Sequence, residues 1–183
     1  AKSGAAIDNT DYTLVGSVAI PAGSLSKLVT LTVAADSLDE LDETVIIDVS
    51  TVVNGTESTT QQRTLTIVDD DALPTVTLSI GSANVAEANA TTTVTAILNT
   101  PSGLAVTVTL GINSSSTAAT TTDYTLPLSI LVPAGATTTS ITFSAVQDTL
   151  DELNETVVID ITAVSNGTEN ATQTQTVTIT DDD

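Results

Sequence analysis

The acidic side chains of this chain occur in groups next to apolar, alternating segments, where strands are expected to end. In the second half most of them fall at Glu87, at Asp123, along residues 148–155 and at residues 181–183. Carboxylates that strands carry to one end of a sheet would repel each other unless a hard cation binds there. Six to eight oxygen ligands suit Ca²⁺, so the pattern predicts Ca²⁺ as the cofactor.

Other uses of these carboxylates find less support in the sequence. The chain contains no histidine and no cysteine, which removes the usual ligands of Zn²⁺ and the usual bases and nucleophiles of catalysis. Paired carboxylates could serve a glycosidase, but aromatic residues, which would form a sugar platform, make up only 2% of the chain. We therefore expect a protein that is not an enzyme.

The charge balance also restricts the partners. The formal net charge is −20, and the only cations are Lys2, Lys27 and Arg63, so no basic patch exists that could neutralise nucleic-acid phosphates. No apolar run approaches the roughly 18 residues that a membrane span needs. A lone run such as Asp181-Asp182-Asp183 is usually a solvated turn. Repetition of the whole acidic pattern along the chain favours a metal site instead.

The chain is an internal repeat with a period of 112 residues. Asp11-Tyr12-Thr13-Leu14 recurs as Asp123-Tyr124-Thr125-Leu126, and Asp69-Asp70-Asp71 recurs as Asp181-Asp182-Asp183, with about half of the overlapping positions identical. Residues 72–183 make one complete copy, whereas residues 1–71 match only its last 71 positions. We expect two domains with these bounds, the first truncated, as in a window cut from a longer tandem array.

The composition predicts an all-β fold, because Thr, Val and Ser dominate and apolar residues alternate with polar ones. Residues 75–80 and 84–87 indicate a first strand that is split at Gly81. Asn166-Gly167 could form a type I′ turn or lie in a longer loop. The other predicted strands are 92–98, 105–112, 129–132, 140–146, 156–164 and 173–180. About seven short strands in roughly a hundred residues indicate an immunoglobulin-like antiparallel β-sandwich.

These motifs together resemble the Calx-β domain family, which occurs in sodium/calcium exchangers and in large bacterial surface adhesins. The resemblance is carried by Val85-Ala86-Glu87, Asp123-Tyr124, Pro133-Ala134-Gly135, the acidic loop 148–155 and the terminal aspartates. It implies tandem Calx-β sandwiches that bind Ca²⁺. Thr149 stands where calcium-sensing members often have an acid, which suggests fewer ions or weaker binding. The implied ligands in the complete copy are Glu87, Asp123, Asp148, Glu152, Glu155, Asp181, Asp182 and Asp183.

The first copy retains most of the equivalent acids but lacks the segment that matches residues 72–112. A counterpart of Glu87 would precede residue 1, so its site is expected to be incomplete. Without these strands the copy would expose sheet edges and half a core. Either the limits of the sequence explain the gap, or a neighbouring molecule donates strands to residues 1–71. The equivalent acids are Asp11, Asp36, Glu40, Glu43, Asp69, Asp70 and Asp71.

The sequence favours a calcium-binding structural repeat of an extracellular stalk, filament or adhesin, on a bacterial cell surface. Ca²⁺ would stiffen the loops and the junctions between neighbouring repeats of the same chain, since Asp69-Asp70-Asp71 directly precedes Ala72-Leu73-Pro74. Two alternatives stay open: a recognition module for a glycan or protein surface, and a regulatory Ca²⁺ sensor.

Overall fold

The computed structural model of the chain describes residues 2–183, which form strands, turns and loops without a helix. That part of the chain accordingly has no helix of the length and apolarity needed to cross a membrane. The chain divides into two compact units, which meet in sequence between Asp71 and Ala72. We refer to residues 2–71 as the first unit and to residues 72–183 as the second unit.

The first unit contains five short strands in two sheets. β1 and β5 flank β4 in a three-stranded sheet, and β2 pairs with β3 in a separate antiparallel ladder. The strands are β1 (Lys2–Gly4), β2 (Tyr12–Thr13), β3 (Thr32–Val33), β4 (Glu43–Asp48) and β5 (Gln62–Ile67).

The second unit contains ten strands in two five-stranded sheets. They are β6 (Thr75–Ile80), β7 (Asn84–Ala86), β8 (Thr91–Leu98), β9 (Val106–Ile112), β10 (Tyr124–Thr125), β11 (Ser129–Val132), β12 (Thr138–Ala145), β13 (Glu155–Ser165), β14 (Thr168–Glu169) and β15 (Thr174–Thr180). One sheet has the order β10-β12-β8-β6-β14, and the other has the order β11-β9-β13-β15-β7.

The predicted split of the first strand is confirmed, and its two halves lie in different sheets. β6 pairs antiparallel with β8, while β7 pairs parallel with β15 in the opposite sheet. Gly81 lies at the break, where a Cβ atom would lie 2.8 Å from the Thr93 hydroxyl oxygen. A Cβ atom here would force the Thr93 side chain to shift, so close packing favours glycine, and the crossing places Glu87 directly after β7.

The core of the second unit lies between the two sheets and follows the period-two pattern of the sequence. In β8, for example, Thr92, Val94, Ala96 and Leu98 are buried and the intervening residues are more exposed. Val, Ile and Leu fill most of the core. The stacked rings of Tyr124 and Phe143, with centroids 5.2 Å apart, supply its aromatic part. The predicted all-β sandwich is thus confirmed.

Asn166-Gly167 does not form a type I′ turn. Of the two alternatives, the structure shows the longer loop. Asn166 has a positive φ of 55°, but Gly167 is not among the glycines with positive φ, which a type I′ turn would require. A Cβ atom on Gly167 would lie 3.2 Å from the Pro74 carbonyl oxygen and 3.2 Å from a Val106 methyl group. The glycine permits close packing, and the chain continues into β14, which pairs parallel with β6.

The first unit reproduces two of the strand pairings of the second unit. Tyr12 pairs with Val33 as Tyr124 pairs with Ala145, and Glu43 pairs with Ile67 as Glu155 pairs with Ile179. Its buried core is small and consists of Ala6, Tyr12 and Val45. The expected exposure of sheet edges is seen except at β4, where β1 pairs with Val45–Ile47.

Candidate metal centre

The strand registers of the second unit bring its acidic segments to one end of the sandwich. Glu155 opens β13 next to the end of β15, which leads into Asp181. β7 runs parallel to β15 and ends beside it, so Glu87 follows at the same end. In the other sheet, β10 begins opposite the end of β12, which places Asp123 near the loop that carries Asp148.

Asp123, Glu152 and Glu155 form the tightest group of carboxylates in the described chain. Each offers an oxygen, and these oxygens all lie within 4.8 Å of one another. Ca²⁺ binds oxygens at about 2.3–2.6 Å, so two ligands on opposite sides of one ion lie about 5 Å apart. The spacing therefore fits one shared cation.

The charges of this group oppose each other strongly. Burial, a hydrogen bond with Asp123 and the charges of Asp123, Glu152 and Glu87 raise the pKa of Glu155 from 4.5 to about 7. Partial burial and the charges of Asp148, Asp123 and Asp181 likewise raise the pKa of Glu152. Without a cation, part of the group must bind protons near neutral pH.

Glu87 approaches the group from the end of β7, in the sheet that also carries Glu155. Its side chain is buried, with 5% of the residue exposed, and one carboxylate oxygen accepts a hydrogen bond from the backbone N–H of Asp148 at 3.2 Å. Burial raises the pKa of Glu87, the N–H of Asp148 lowers it, and the charges of Asp148, Asp181 and Glu152 raise it further. A buried carboxylate among other carboxylates is costly unless a cation lies nearby.

The acidic loop between β12 and β13 is held by its own polar groups. The Asp148 carboxylate accepts a hydrogen bond from the Leu150 N–H at 2.8 Å, and Asp181 accepts one from the Glu152 N–H at 3.3 Å. The Asn154 side chain in turn accepts one from the Asp181 N–H at 3.2 Å. The loop and the chain after β15 thus brace each other and keep Asp148, Glu152 and Asp181 in one neighbourhood.

The remaining terminal acids lie at the margin of this group. Partial burial and the charges of Asp182, Asp181, Asp148 and Asp151 raise the pKa of Asp183. Asp182 is exposed. Asp183 is exposed as well, whereas Asp181 is half-buried.

The seven acids predicted in the first unit line one cavity of about 370 Å³. Several contacts repeat at the 112-residue offset: the Asp36 carboxylate accepts from the Leu38 N–H at 2.8 Å, as Asp148 does from Leu150. Burial, a hydrogen bond with Asp11 and the charges of Asp11 and Glu40 raise the pKa of Glu43. Among residues 2–71, however, no three such carboxylates bring oxygens within 4.8 Å of one another.

Sequence reasoning missed two kinds of supporting residue. Asn154 holds Asp181, and its counterpart Asp42 accepts a hydrogen bond from the Asp69 N–H at 3.1 Å. Asp39 is buried, with 7% of the residue exposed, and its charge contributes to raising the pKa of Asp71. Asp39 lies within an acidic run whose other positions are half-buried or exposed, so sequence position does not single it out.

The chemistry of the donors fits Ca²⁺. All the charged groups that meet here are carboxylates, and residues 72–183 contain no lysine, arginine or histidine that could neutralise them. Oxygen donors without nitrogen or sulfur select hard cations. Flexible loops that supply many oxygens suit Ca²⁺ better than the strict octahedron of Mg²⁺. The fold and the site together define an all-β module of a calcium-binding class.

Comparison with known proteins identifies the family. The chain matches the Calx-beta domain over residues 1–71 and again over residues 69–183, so it belongs to the Calx-β domain family. The family resemblance seen in the sequence is thereby confirmed. Calx-β domains are calcium-binding modules, and Ca²⁺ as the predicted cofactor is confirmed at the level of the family.

The solved structures to which the chain is similar include three from Calx proteins. The crystal structure of the apo-form Calx CBD1 domain shows 19% identity and a TM-score of 0.47, and the match covers 60% of this chain and 99% of that one. CBD12 from CALX1.2 shows 21% identity and a TM-score of 0.47, and the match covers 55% of this chain and 41% of that one. The calcium binding domain CBD12 of CALX1.1 shows 22% identity and a TM-score of 0.46, with the same two coverages of 55% and 41%. The match thus spans about two fifths of the CBD12 chains. No curated protein sequence is significantly similar to the chain.

Proposed function

We propose that this chain is a non-catalytic, calcium-binding structural module of an extracellular stalk, filament or adhesin, in which Ca²⁺ stiffens the acidic loops of each repeat. The observation that carries the proposal is the meeting of Asp123, Glu152 and Glu155 within 4.8 Å in a unit without lysine or arginine. The ion would supply the positive charge that the unit lacks. Ca²⁺ binding by the family supports the same reading.

In the second unit, the proposed ligands come from four segments that are distant in sequence. They are Glu87, Asp123, the loop that carries Asp148, Glu152 and Glu155, and the terminal residues 181–183. Binding energy gained at such a site contributes to folding, because the unfolded chain cannot bring the four segments together. The ligands therefore act as a cross-link in a chain that has no cysteine for a disulfide.

The sequence is the reason to extend the proposed stiffening to the connection between repeats. Asp69-Asp70-Asp71 directly precedes Ala72-Leu73-Pro74, and proline fixes its own φ angle. An ion bound by the terminal aspartates of one repeat would restrain the first residues of the next. Near-duplicate repeats add length to a stalk, which favours this role over that of a sensor.

Isothermal titration of the full 183-residue chain with Ca²⁺ tests the site. Glu155→Gln removes one charge from the carboxylate group and is expected to weaken binding by the second unit at least tenfold. Glu169→Gln is the matched control, because Glu169 lies in β14 beside the start of β6, at the opposite end of the sandwich. Equal loss in both variants would mean that net charge, not a defined site, attracts the ion.

Hydrodynamic measurements with and without Ca²⁺ separate the stalk from the sensor. A stalk is expected to gain stability while its hydrodynamic radius changes little. A large Ca²⁺-driven change in radius near the binding midpoint would instead support a regulatory sensor. If the chain is instead a recognition module for a glycan or protein surface, the isolated chain is expected to be retained on that surface.

A further inference from the structure

The start of β13 has a neighbouring strand on one side only. Residues 155–158 pair with β15, whereas pairing with β9 on the other side begins at Ile159. Backbone N–H and C=O groups face alternate sides along an antiparallel strand, so those on the open side need other partners. This stretch of β13 begins with Glu155, one of the three carboxylates of the tight group.

The loop after β9 supplies these partners. It comprises residues 113–123, of which seven are Ser or Thr, and we call it the hydroxyl loop. Asn113 donates its backbone N–H to the Val158 carbonyl oxygen at 2.9 Å, and the Ser116 hydroxyl oxygen accepts a hydrogen bond from the Val158 N–H at 2.9 Å. A side-chain oxygen thus replaces the carbonyl group that a neighbouring strand would provide.

Thr117 holds the residue next to Glu155 in the same way. Its hydroxyl oxygen accepts a hydrogen bond from the Thr156 backbone N–H at 2.8 Å, and its own N–H donates to the Thr156 carbonyl oxygen at 2.9 Å. One residue of the hydroxyl loop therefore binds both backbone polar groups of Thr156. Because Glu155 directly precedes Thr156, this double contact limits the movement of the Glu155 backbone.

The hydroxyl loop also carries Asp123, the second carboxylate of the tight group. The Asp123 carboxylate accepts a hydrogen bond from the backbone N–H of Ala119, and the Asp123 N–H donates to the Ala119 carbonyl oxygen at 3.0 Å. Ala119 lies only two residues after Thr117 in the sequence. A short path therefore joins the Asp123 carboxylate to β13, and the contact between Thr117 and Thr156 is its last step.

Thr117 lies beside the third carboxylate as well. Thr117, Glu152, Asn154 and Glu155 line one cavity at this end of the sandwich. The hydroxyl oxygen of Thr117 contacts the backbone of Thr156, so Thr117 acts on the carboxylates through the start of β13 and is not itself an ion ligand.

We propose that Thr117 is a positioning residue of the metal site, whose hydroxyl fixes the start of β13 and so holds Glu155 at the distance from Asp123 that Ca²⁺ requires. This role rests on the proposed function. Without the contact, the two carboxylates repel each other and move apart while no ion is bound. Ca²⁺ must then bring them together, and its affinity falls. Groups that orient metal ligands typically contribute about tenfold or more to metal affinity.

The first unit shows that this loop folds without the hydroxyl. Ala5 stands at the position of Thr117. The backbone N–H of Ala6 nevertheless donates to the Thr44 carbonyl oxygen at 3.1 Å, as the equivalent pair of the second unit does at 3.2 Å. Removal of the Thr117 hydroxyl is therefore expected to leave the backbone contacts of the loop in place.

The test is a Ca²⁺ titration of the full 183-residue chain by NMR, with the amide signal of Thr156 as the reporter of the second unit. Thr117→Val keeps the branched shape, removes the hydroxyl and is expected to weaken binding about tenfold. Thr117→Ser keeps the hydroxyl and is expected to restore the wild-type affinity. Ser114→Ala is the matched control, because it removes an exposed hydroxyl from the same loop and should change nothing.

Amide hydrogen exchange in chelator tests the contact without the ion. Thr117→Val is expected to speed exchange at Thr156 roughly tenfold, because its N–H loses its acceptor. Exchange at Val157, which pairs with Val177 of β15, should not change. A purely structural effect would instead speed exchange at both positions and leave Ca²⁺ affinity unchanged.

The outcomes separate this proposal from the proposed function. Ca²⁺ binding by Thr117→Val as tight as that of the wild type would overturn the role of Thr117 and leave the proposed function intact. Failure of Thr117→Ser to restore affinity would also overturn it, because the hydroxyl would then not be the cause. If the wild-type chain shows no response to Ca²⁺ at Thr156, the proposed function fails, and the role of Thr117 fails with it.

Discussion

At the scale of residues, the pairing of two carboxylates is the repeated feature of both acidic groups. A hydrogen bond joins Glu155 to Asp123, and the equivalent bond joins Glu43 to Asp11. Two ionised carboxylates have no proton to share, so each pair must bind either a proton or a cation. This requirement makes the acidic groups sensitive to both pH and Ca²⁺.

The first prediction is that the chain in chelator loses stability as the pH rises from about 4.5 to about 7. The pKa of Glu155 is about 7 in the folded chain and 4.5 ordinarily, so the folded state binds more protons in this interval. The free energy of unfolding must then fall with rising pH. The raised pKa values of Glu87, Glu152, Glu40 and Glu43 act in the same direction.

Urea unfolding at a series of pH values measures this dependence. Glu155→Gln is expected to flatten it, because the variant cannot titrate at that position. With Ca²⁺ present the loss should also be smaller, since the cation takes the place of the proton. A wild-type chain that grows more stable between pH 4.5 and pH 7 in chelator would contradict the raised pKa of Glu155.

At the scale of elements, alternation of side chains made most strands predictable. β6 and β11 have the predicted bounds, and β8 differs by one residue at its start. The two-residue strands β10 and β14 were missed, because two residues cannot show a period. The convergence of the acidic groups could be predicted from their positions at strand ends, but the strand registers that produce it could not.

The second prediction concerns Phe143, whose ring is fully buried against Tyr124. Phe143→Ala is expected to destabilise the second unit by about 3–5 kcal/mol, because small aliphatic neighbours cannot refill the space. Leu31→Ala is the matched control at the equivalent repeat position, where the side chain is only half-buried and the cost should be clearly smaller. Urea unfolding of both variants gives the comparison, and equal costs would mean that the two positions are packed alike.

At the scale of the whole molecule, the two units illustrate how far sequence similarity determines structure. About half of the aligned positions are identical, yet residues 17–20 and 26–31 form no strand although their counterparts lie in β11 and β12. A strand needs a partner, and the partner strands of these segments have no counterpart in the first unit. No local pattern in residues 1–71 could therefore have revealed which of its segments would form strands.

The third prediction is that the first unit is the less stable one. Its buried core contains Ala6, Tyr12 and Val45, whereas a much larger apolar cluster fills the second unit. Amide exchange in residues 2–71 is expected to be faster than in the paired strands of residues 72–183. Proteolysis should likewise begin in the first unit. Equal protection of β4 and β13 in the chain alone would contradict this.

The measurement that tests the central claim most directly is thermal unfolding of the full chain with millimolar Ca²⁺ and with excess chelator, at fixed ionic strength. At free Ca²⁺ about 100-fold above the dissociation constant, binding should stabilise the second unit by about 2.7 kcal/mol, or roughly 10 °C in Tm. Glu87→Ala combined with Asp181→Ala should abolish the shift. A midpoint for the second unit that does not move with Ca²⁺ would show that its acidic groups are solvated loops and not a metal site.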